Sequence, residues 1–329
     1  MSDATHRSAT PEPTRMRLRP DLAPLVDQIP YLDVAEPSVA RRTLKDLEAQ
    51  WEPADTSAIT VTERLIPGPA GAPDVAVRVY TPRTEGPHGG LLWIHGGGFV
   101  MGSLETEHNQ CVWFSSRANV VVVSVEYRLA PENPFPAGAE DCYAALEWLA
   151  AHADELGVDP ARLGVAGCSA GGALSASVAL MARDRRGPEL ALQVLTFPVT
   201  DDRMDTPSAR SFHDTPVWST PQSVSMWRHY LGEGHEQRET SPYAAPNRAD
   251  DLSGLPATHI VTAEYDPLRD EGLRYGQRLL EAGVPVTLHQ WAGAFHIFDS
   301  FGTESGQRSI DELVLAVHEA LGEPAAELS

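Results

Sequence analysis

Short runs of apolar residues recur along the chain from about residue 59 to residue 288, and they predict buried β-strands. The first two stretches alternate apolar and polar positions, as strands with one solvent-facing side do. The later runs are nearly continuous, which is typical of strands covered on both faces of a parallel sheet. In chain order, the predicted strands are 59–65, 75–79, 91–94, 120–125, 163–166, 192–197, 260–263 and 284–288.

Helical periodicity fills several of the gaps between these strands. In four segments apolar residues return every three or four positions, so each segment would form a helix with one buried face. Strands that alternate with helices predict an α/β fold, in which a mostly parallel sheet is flanked by helices. The four predicted helices are 139–153, 170–183, 269–282 and 308–321.

Two segments lie outside this alternation, and we expect them to form a helical cap. Residues 21–52 carry apolar positions at helical spacing and predict one or two amphipathic helices. Residues 201–250 hold several aromatic residues and prolines but no clear strand, and long insertions of this kind are often lids. The chain then divides into a tail with cap helices (1–52), a first core part (53–200), a lid (201–250) and a second core part (251–329).

The strongest chemical signal is the pentapeptide Gly167-Cys168-Ser169-Ala170-Gly171. It follows a predicted strand and opens a predicted helix, which is the strand–turn–helix setting of a nucleophile elbow. A turn this sharp needs small residues two positions before and after its centre, and both positions are glycine. Ser169 is therefore the candidate nucleophile. The N–H of Ala170, at the start of the helix, is a candidate donor to an oxyanion.

A glycine run, Gly96-Gly97-Gly98, follows His95 at the end of the predicted strand 91–94. Residues without side chains leave their N–H groups open to a reacting carbonyl, so Gly97 and Gly98 are further candidate oxyanion donors. A glycine run alone would also suit a phosphate loop. However, the chain has no G-K-[ST] motif here and no G-x-G-x-x-G at the start of a helix.

A histidine and an acid should follow the nucleophile in the order Ser, Asp or Glu, His. His296 lies in a segment rich in small residues, which we expect to form a loop beyond the strand that starts at residue 284. It is the candidate base. His289 falls within that predicted strand and His318 within the last predicted helix, so packing and surface roles are expected for them.

The candidate acid comes from the segment after the predicted strand 260–263. Asp266 is the first choice, because it lies on the loop at the carboxyl end of that strand. Glu264 and Asp270 are the alternatives: the first is expected to point into the structure and the second to start the following helix.

Charge and composition narrow the classes of partner. The 329 residues carry a formal net charge of −21, which argues against binding to nucleic acid or to anionic membranes. Lys45 is the only lysine, so a lysine-dependent mechanism is not expected. Three cysteines, no signal peptide and no long apolar run suggest a cytoplasmic protein without a membrane span.

At this point the sequence resembles the bacterial hormone-sensitive-lipase-like esterases. The similar segments cover residues 60–320 in the order of the family: HGGGF (95–99), YRLAPE (127–132), PFPA (134–137), GCSAGG (167–172), EYDPLRDEG (264–272) and GAFHIF (293–298). The resemblance implies an α/β-hydrolase fold with a cap, hydrolysis of short- to medium-chain acyl esters, no cofactor, and frequent homodimers. It also implies a catalytic triad of Ser169, Asp266 and His296 and an oxyanion hole of Gly97, Gly98 and Ala170.

Two positions depart from the pattern of this family. Cys168 precedes the nucleophile where the family usually has Asp or Thr, and Ala173 stands where it often has Asn. Neither change removes a catalytic group, but both affect the region behind the elbow. A lactonase, an amidase or a deacetylase with the same triad stays open as an alternative. A non-catalytic ligand receptor on the same fold is another, although such receptors commonly lack the histidine.

Overall fold

The computed structural model describes residues 15–322, and the first part of the predicted N-terminal tail lies outside them. Within this range eight strands form a single sheet. Their bounds agree with the predicted apolar runs, although several strands are longer. The strands are β1 (Ile59–Ile66), β2 (Val75–Pro82), β3 (His88–Ile94), β4 (Val120–Glu126), β5 (Val158–Cys168), β6 (Leu192–Thr196), β7 (Ala257–Tyr265) and β8 (Val286–Phe295).

The strand order in the sheet is β1-β2-β4-β3-β5-β6-β7-β8. The pairs β1–β2 and β2–β4 are antiparallel, and all the other neighbours are parallel. The predicted mostly parallel α/β sheet is thus confirmed.

Nine α-helices lie within the described residues, and all four predicted helices are among them. They are α1 (Pro37–Glu48), α2 (His108–Ala118), α3 (Ala137–Ala151), α4 (Ala153–Leu156), α5 (Ala170–Arg185), α6 (Pro207–Ser211), α7 (Thr220–Leu231), α8 (Arg269–Glu281) and α9 (Glu304–Leu321). In the segment 21–52, α1 is preceded only by a short 3₁₀ helix, Ala23–Gln28. Pro24 lies at its start and Pro30 just after it, and proline cannot supply the N–H groups that a continued α-helix needs.

The helices cover both faces of the sheet. Side chains of adjacent residues in a strand point to opposite faces, and Leu91 and Leu92 on β3 therefore belong to different cores. Leu91 packs in a cluster with Phe114 of α2 and Leu313 of α9. Leu92 packs in a second cluster that includes Leu146 of α3. All five side chains are at most 4 % exposed. Because these strands are buried on both faces, their sequences are nearly continuous runs of apolar residues.

One prediction about the end of the sheet is wrong. The sequence predicts a loop over residues 293–298, but β8 continues to Phe295, which pairs with Tyr265 of β7. An irregularity in the register between Ala263 and Tyr265 accommodates this extension. Gly293, at φ +69, lies within it. The end of this strand was not predicted, because the small residues 292–294 give no strong apolar pattern. His296 consequently follows the strand directly.

Candidate active site

The candidate residues meet at the carboxyl edge of the parallel strands. Gly167 of β5 pairs with Ile94 of β3, so the elbow and the glycine run leave the sheet at the same level. Tyr265 of β7 pairs with Phe295 of β8, and the residues that follow these two are Asp266 and His296. The register of the sheet thus places four sequence-distant segments side by side. This edge is where open α/β sheets usually bind their ligands.

Ser169 lies in the sharp turn between β5 and α5. Its backbone has φ 56° and ψ −116°, a conformation that residues with a side chain rarely adopt. The glycines predicted for this turn are sterically required. A Cβ added to Gly171 would lie 1.9 Å from the carbonyl oxygen of Ile94, and one added to Gly167 would lie 2.5 Å from the same oxygen. The turn therefore projects the hydroxyl of Ser169 beyond the sheet.

The three side chains of the predicted triad form a continuous hydrogen-bonded chain. His296 Nε2 lies 3.0 Å from Ser169 Oγ, and His296 Nδ1 lies 2.7 Å from Asp266 Oδ2. All three residues are at most 4 % exposed. The second carboxylate oxygen of Asp266 accepts a hydrogen bond from the N–H of Leu268 at 2.9 Å, which fixes the orientation of the carboxylate. This geometry suits a serine that loses its proton to an oriented imidazole.

The alternative acids have other partners. Glu264 Oε2 accepts a hydrogen bond from the N–H of Gly293 at 2.7 Å, so it supports the strand end that precedes His296. Asp270 Oδ2 accepts one from the N–H of Ser208 at 2.8 Å, and its other oxygen pairs with Arg269. Neither carboxylate contacts the imidazole.

The alternative histidines also lie apart from Ser169. His289 Nδ1 lies 2.5 Å from Glu312 Oε2 on α9, and its ring is 5.0 Å from that of His259. His318 Nδ1 lies 3.2 Å from the carbonyl oxygen of Ala118 at the end of α2. The structure therefore brings only His296, of these three, to the elbow.

The glycine run has the backbone shape that an oxyanion loop requires. Gly97 and Gly98 have φ values of +107° and +59°, and a Cβ on Gly97 would lie 2.2 Å from the carbonyl oxygen of Met101. Within the described residues, the N–H groups of these two glycines donate no backbone hydrogen bond. They are consequently available to an oxyanion, together with the N–H of Ala170 at the start of α5.

A buried carboxyl group that the sequence analysis missed supports this loop. Glu107 Oε1 accepts a hydrogen bond from the N–H of Gly96 at 2.9 Å, and Oε2 accepts one from Trp93 Nε1 at 2.7 Å. Desolvation raises the pKa of Glu107 to about 8, despite these two hydrogen bonds. Glu107 lies just before α2, in a stretch without a motif, so only the tertiary structure reveals the contact.

His95, at the head of the glycine run, is a structural residue. Its ring stacks on Tyr127 with centroids 4.3 Å apart, and its Nδ1 bonds the carbonyl oxygen of Gly96 at 2.8 Å. The hydroxyl of Tyr127 donates a hydrogen bond to the carbonyl oxygen of His95. Desolvation lowers the pKa of His95 to about 4, so the ring is neutral at pH 7.

Aromatic side chains pack against the imidazole of His296. The ring of Phe197 meets that of His296 edge-on at 5.6 Å, and Trp218 lies 5.9 Å away on another side. Trp218 is one of several aromatic residues in the insertion 201–250, and nothing in the sequence shows which of them reaches the site. An indole brought against the triad by a long insertion has no local sequence signal.

The fold and this site define a serine hydrolase built on an α/β sheet, and the comparisons with known proteins agree. The family described as having the alpha/beta hydrolase fold matches residues 91–300, and the chain belongs to this family. Esterase LipI of Mycobacterium tuberculosis (strain ATCC 25618 / H37Rv) is 38 % identical over 312 residues, covering 91 % of this chain and 95 % of that protein.

Two further relatives are similarly close. Carboxylesterase NlhH of the same organism and strain is 38 % identical over 319 residues and is matched over 98 % of its length, against 91 % of this chain. The solved structure of a bacterial heroin esterase superposes with a TM-score of 0.90 at 44 % identity, covering 92 % of this chain and 98 % of that one. Similarity at this level extends over nearly the whole chain, including the parts outside the central sheet.

Proposed function

We propose that this protein hydrolyses carboxylic esters with short to medium acyl chains, with Ser169 as nucleophile, His296 as base and Asp266 as orienting acid. The observation that carries the proposal is the buried hydrogen-bonded chain from Ser169 through His296 to Asp266. The names of the relatives, which are esterases and carboxylesterases, support the same reaction.

The reaction follows from the positions of these atoms. Ser169 Oγ attacks the ester carbonyl carbon while His296 Nε2 takes its proton. The carbonyl oxygen becomes an oxyanion, which the N–H groups of Gly97, Gly98 and Ala170 stabilise. The imidazolium then protonates the leaving alcohol, and an acyl-enzyme remains on Ser169. Water, activated by His296, attacks this intermediate and releases the acid. No cofactor takes part in this scheme.

We further propose that residues 21–52 and 201–250 act together as a cap. Gln222 at the start of α7 donates a hydrogen bond to the carbonyl oxygen of Leu32, and this bond joins the two segments. Trp218, from the second segment, lies against the triad. Both segments are therefore positioned to influence which esters enter.

Turnover of p-nitrophenyl butyrate tests the proposed function directly. The wild-type protein should release p-nitrophenol, and Ser169→Ala should lower kcat by about a million-fold, as for other triad serines. Cys168→Ala is the matched control, because it changes the neighbouring residue in the same turn. Desolvation, reinforced by the nearby Glu107, raises the pKa of Cys168 well above its usual value, so this thiol is a poor nucleophile.

Cys168→Ala should therefore stay within about tenfold of the wild type, a change of ~1.4 kcal/mol. Absence of turnover by the wild type would favour the non-catalytic receptor instead. Loss of activity in Cys168→Ala, with activity retained in Ser169→Ala, would assign the nucleophile to the thiol.

We also propose that the protein works in the cytoplasm and pairs into homodimers. Its three cysteines are all free, as expected in a reducing compartment. Strand β8 lies at an edge of the sheet, where its unpaired backbone groups are open to a strand of a second copy. Within residues 15–322, no helix has both the length and the apolar character to cross a membrane. Sedimentation of the purified protein would give its oligomeric state.

A further inference from the structure

Trp218 lies beside the oxyanion loop and beside His296, the two groups that flank the candidate nucleophile. A Cβ added to Gly98 would lie 2.8 Å from Cη2 of this indole, so the ring rests directly on the oxyanion loop. The same ring lies 5.9 Å from the imidazole of His296, measured between centroids. The ring therefore spans the two groups between which Ser169 lies, and His296 Nε2 is 3.0 Å from Ser169 Oγ.

The indole is held firmly in this place. Its Nε1 donates a hydrogen bond to Ser223 Oγ at 2.9 Å, and the carbonyl oxygen of Trp218 accepts one from Thr215 Oγ1 at 2.6 Å. Only 3 % of Trp218 is exposed. The preceding residue, Val217, has φ +66°, which is a rare conformation for a β-branched side chain. Such a conformation persists only where the surrounding structure imposes it, so the ring position is well determined.

The reaction geometry shows which part of an ester meets this ring. The carbonyl oxygen must point to the N–H groups of the glycine loop, and the leaving alcohol must lie near His296. The first carbon of the acyl group is attached to the reacting carbon and cannot move away from Ser169. Because the indole lies beside Gly98 of the glycine loop as well as beside His296, methyl branches on this first carbon extend toward the ring. An unbranched chain can extend away from the ring instead.

We propose that Trp218 is a specificity-determining residue, whose indole excludes acyl groups branched at the carbon next to the carbonyl. This inference rests on the proposed ester hydrolysis and specifies its substrate class as esters of unbranched acids. One displaced methyl group in an apolar pocket commonly changes kcat/KM by about 10- to 200-fold. The wild type should therefore prefer p-nitrophenyl acetate and butyrate to the isobutyrate and the pivalate by at least about tenfold.

The test compares these four p-nitrophenyl esters in Trp218→Leu and in a matched variant, Trp227→Leu. Trp227 on α7 is also nearly fully buried, but it packs on Phe99 and Tyr230, away from His296. In Trp218→Leu the ratio of kcat/KM for pivalate to that for acetate should rise by about tenfold. The ratio for butyrate to acetate should change less than about threefold. Trp227→Leu should leave both ratios unchanged.

Three results would overturn the inference. The first is an unchanged pivalate ratio in active Trp218→Leu, and the second is an equal rise in Trp227→Leu. The third is a parallel rise for butyrate and pivalate, which would mean that the ring limits size rather than branching. If Trp218→Leu does not fold, Trp218→Phe should give a smaller rise of about threefold, and no rise there would count against the proposal. A wild type that hydrolyses none of the four esters would refute the proposed function itself.

Discussion

At the scale of single residues, the chain order of the motifs made Ser169, Asp266 and His296 predictable. Each candidate followed a predicted strand, and the carboxyl ends of parallel strands share one edge of a sheet. The structure brings all three within hydrogen-bonding distance, and their catalytic roles stay predictions. Glu107 and Trp218 could not be found in this way. Both reach the glycine run only through tertiary packing, and neither belongs to a motif.

Replacement of the two histidines at the end of the sheet separates the candidate base from a structural neighbour. His296→Ala should lower kcat by at least about ten-thousand-fold, because it removes the only imidazole within reach of Ser169 among the residues described. His289→Ala removes the contact with Glu312, which is partly exposed, and should leave kcat within about threefold. Single-turnover kinetics with p-nitrophenyl acetate would compare the two. A larger loss in His289→Ala than in His296→Ala would contradict the assignment.

At the scale of elements, the pattern of apolar residues predicts most strands and most of the helices that cover them. Helix α2 was missed because its apolar residues form one short run, 111–114, between polar residues and show no helical spacing. Helix α7 was missed because prolines and polar residues obscure its buried face, although Met226, Trp227 and Tyr230 lie on it. Tertiary contacts, rather than local pattern, determine helices of this kind.

The side chain of Arg41 links α1 to the loop that follows the glycine run. Its guanidinium donates hydrogen bonds to the carbonyl oxygens of Val100 and Ala130 and pairs with Glu132. About a third of this side chain is exposed, so the expected loss of unfolding free energy in Arg41→Ala is only about 1 kcal/mol. The exposed neighbour Arg42 is the control, and Arg42→Ala should stay within ~0.5 kcal/mol of the wild type. Urea unfolding measures both; equal losses would show that Arg41 does not anchor the helix.

At the scale of the whole molecule, buried carboxyl groups connect stability to pH. Desolvation raises the pKa of Glu107 to about 8 and that of Asp299 to about 7, and it raises the pKa of Glu271 well above the usual value. Between pH 6.5 and 8 the folded protein therefore holds protons that the unfolded chain has lost. Because the folded state binds more protons, the free energy of unfolding falls as the pH rises in this range.

Buried histidines change the free energy of unfolding with pH in the opposite direction, and they do so at lower pH. Desolvation lowers the pKa of His95 and of His259 to about 4, whereas an unfolded histidine titrates near 6.5. Their contribution to stability therefore rises as the pH increases from 4 through 6.5, and it levels off above 6.5. The carboxyl groups dominate the slope between pH 6.5 and 8, where each bound proton contributes about 1.4 kcal/mol per pH unit.

Urea unfolding at a series of pH values from 6.5 to 8 would test this prediction. The free energy of unfolding of the wild type should decline over this range, and that of Glu107→Gln should decline less, because one of the titrating groups is gone. The many exposed carboxylates behind the net charge of −21 are ionised in both states, so they do not change the number of bound protons. A flat wild-type profile, or identical slopes in the two proteins, would contradict the role of Glu107.

The backbone conformation at Ser169 implies that a residue kept for catalytic activity lowers the stability of the fold. A residue with a side chain at φ 56° and ψ −116° costs about 1–3 kcal/mol, and glycine adopts positive φ without this penalty. Ser169→Gly and Ser169→Ala should both be inactive, yet the glycine variant should be the more stable of the two by about 1 kcal/mol, after its greater loss of chain entropy. Thermal unfolding of the pair would reveal the difference. The chain therefore keeps its candidate nucleophile at the cost of a fold less stable than the same chain could reach with glycine at this position.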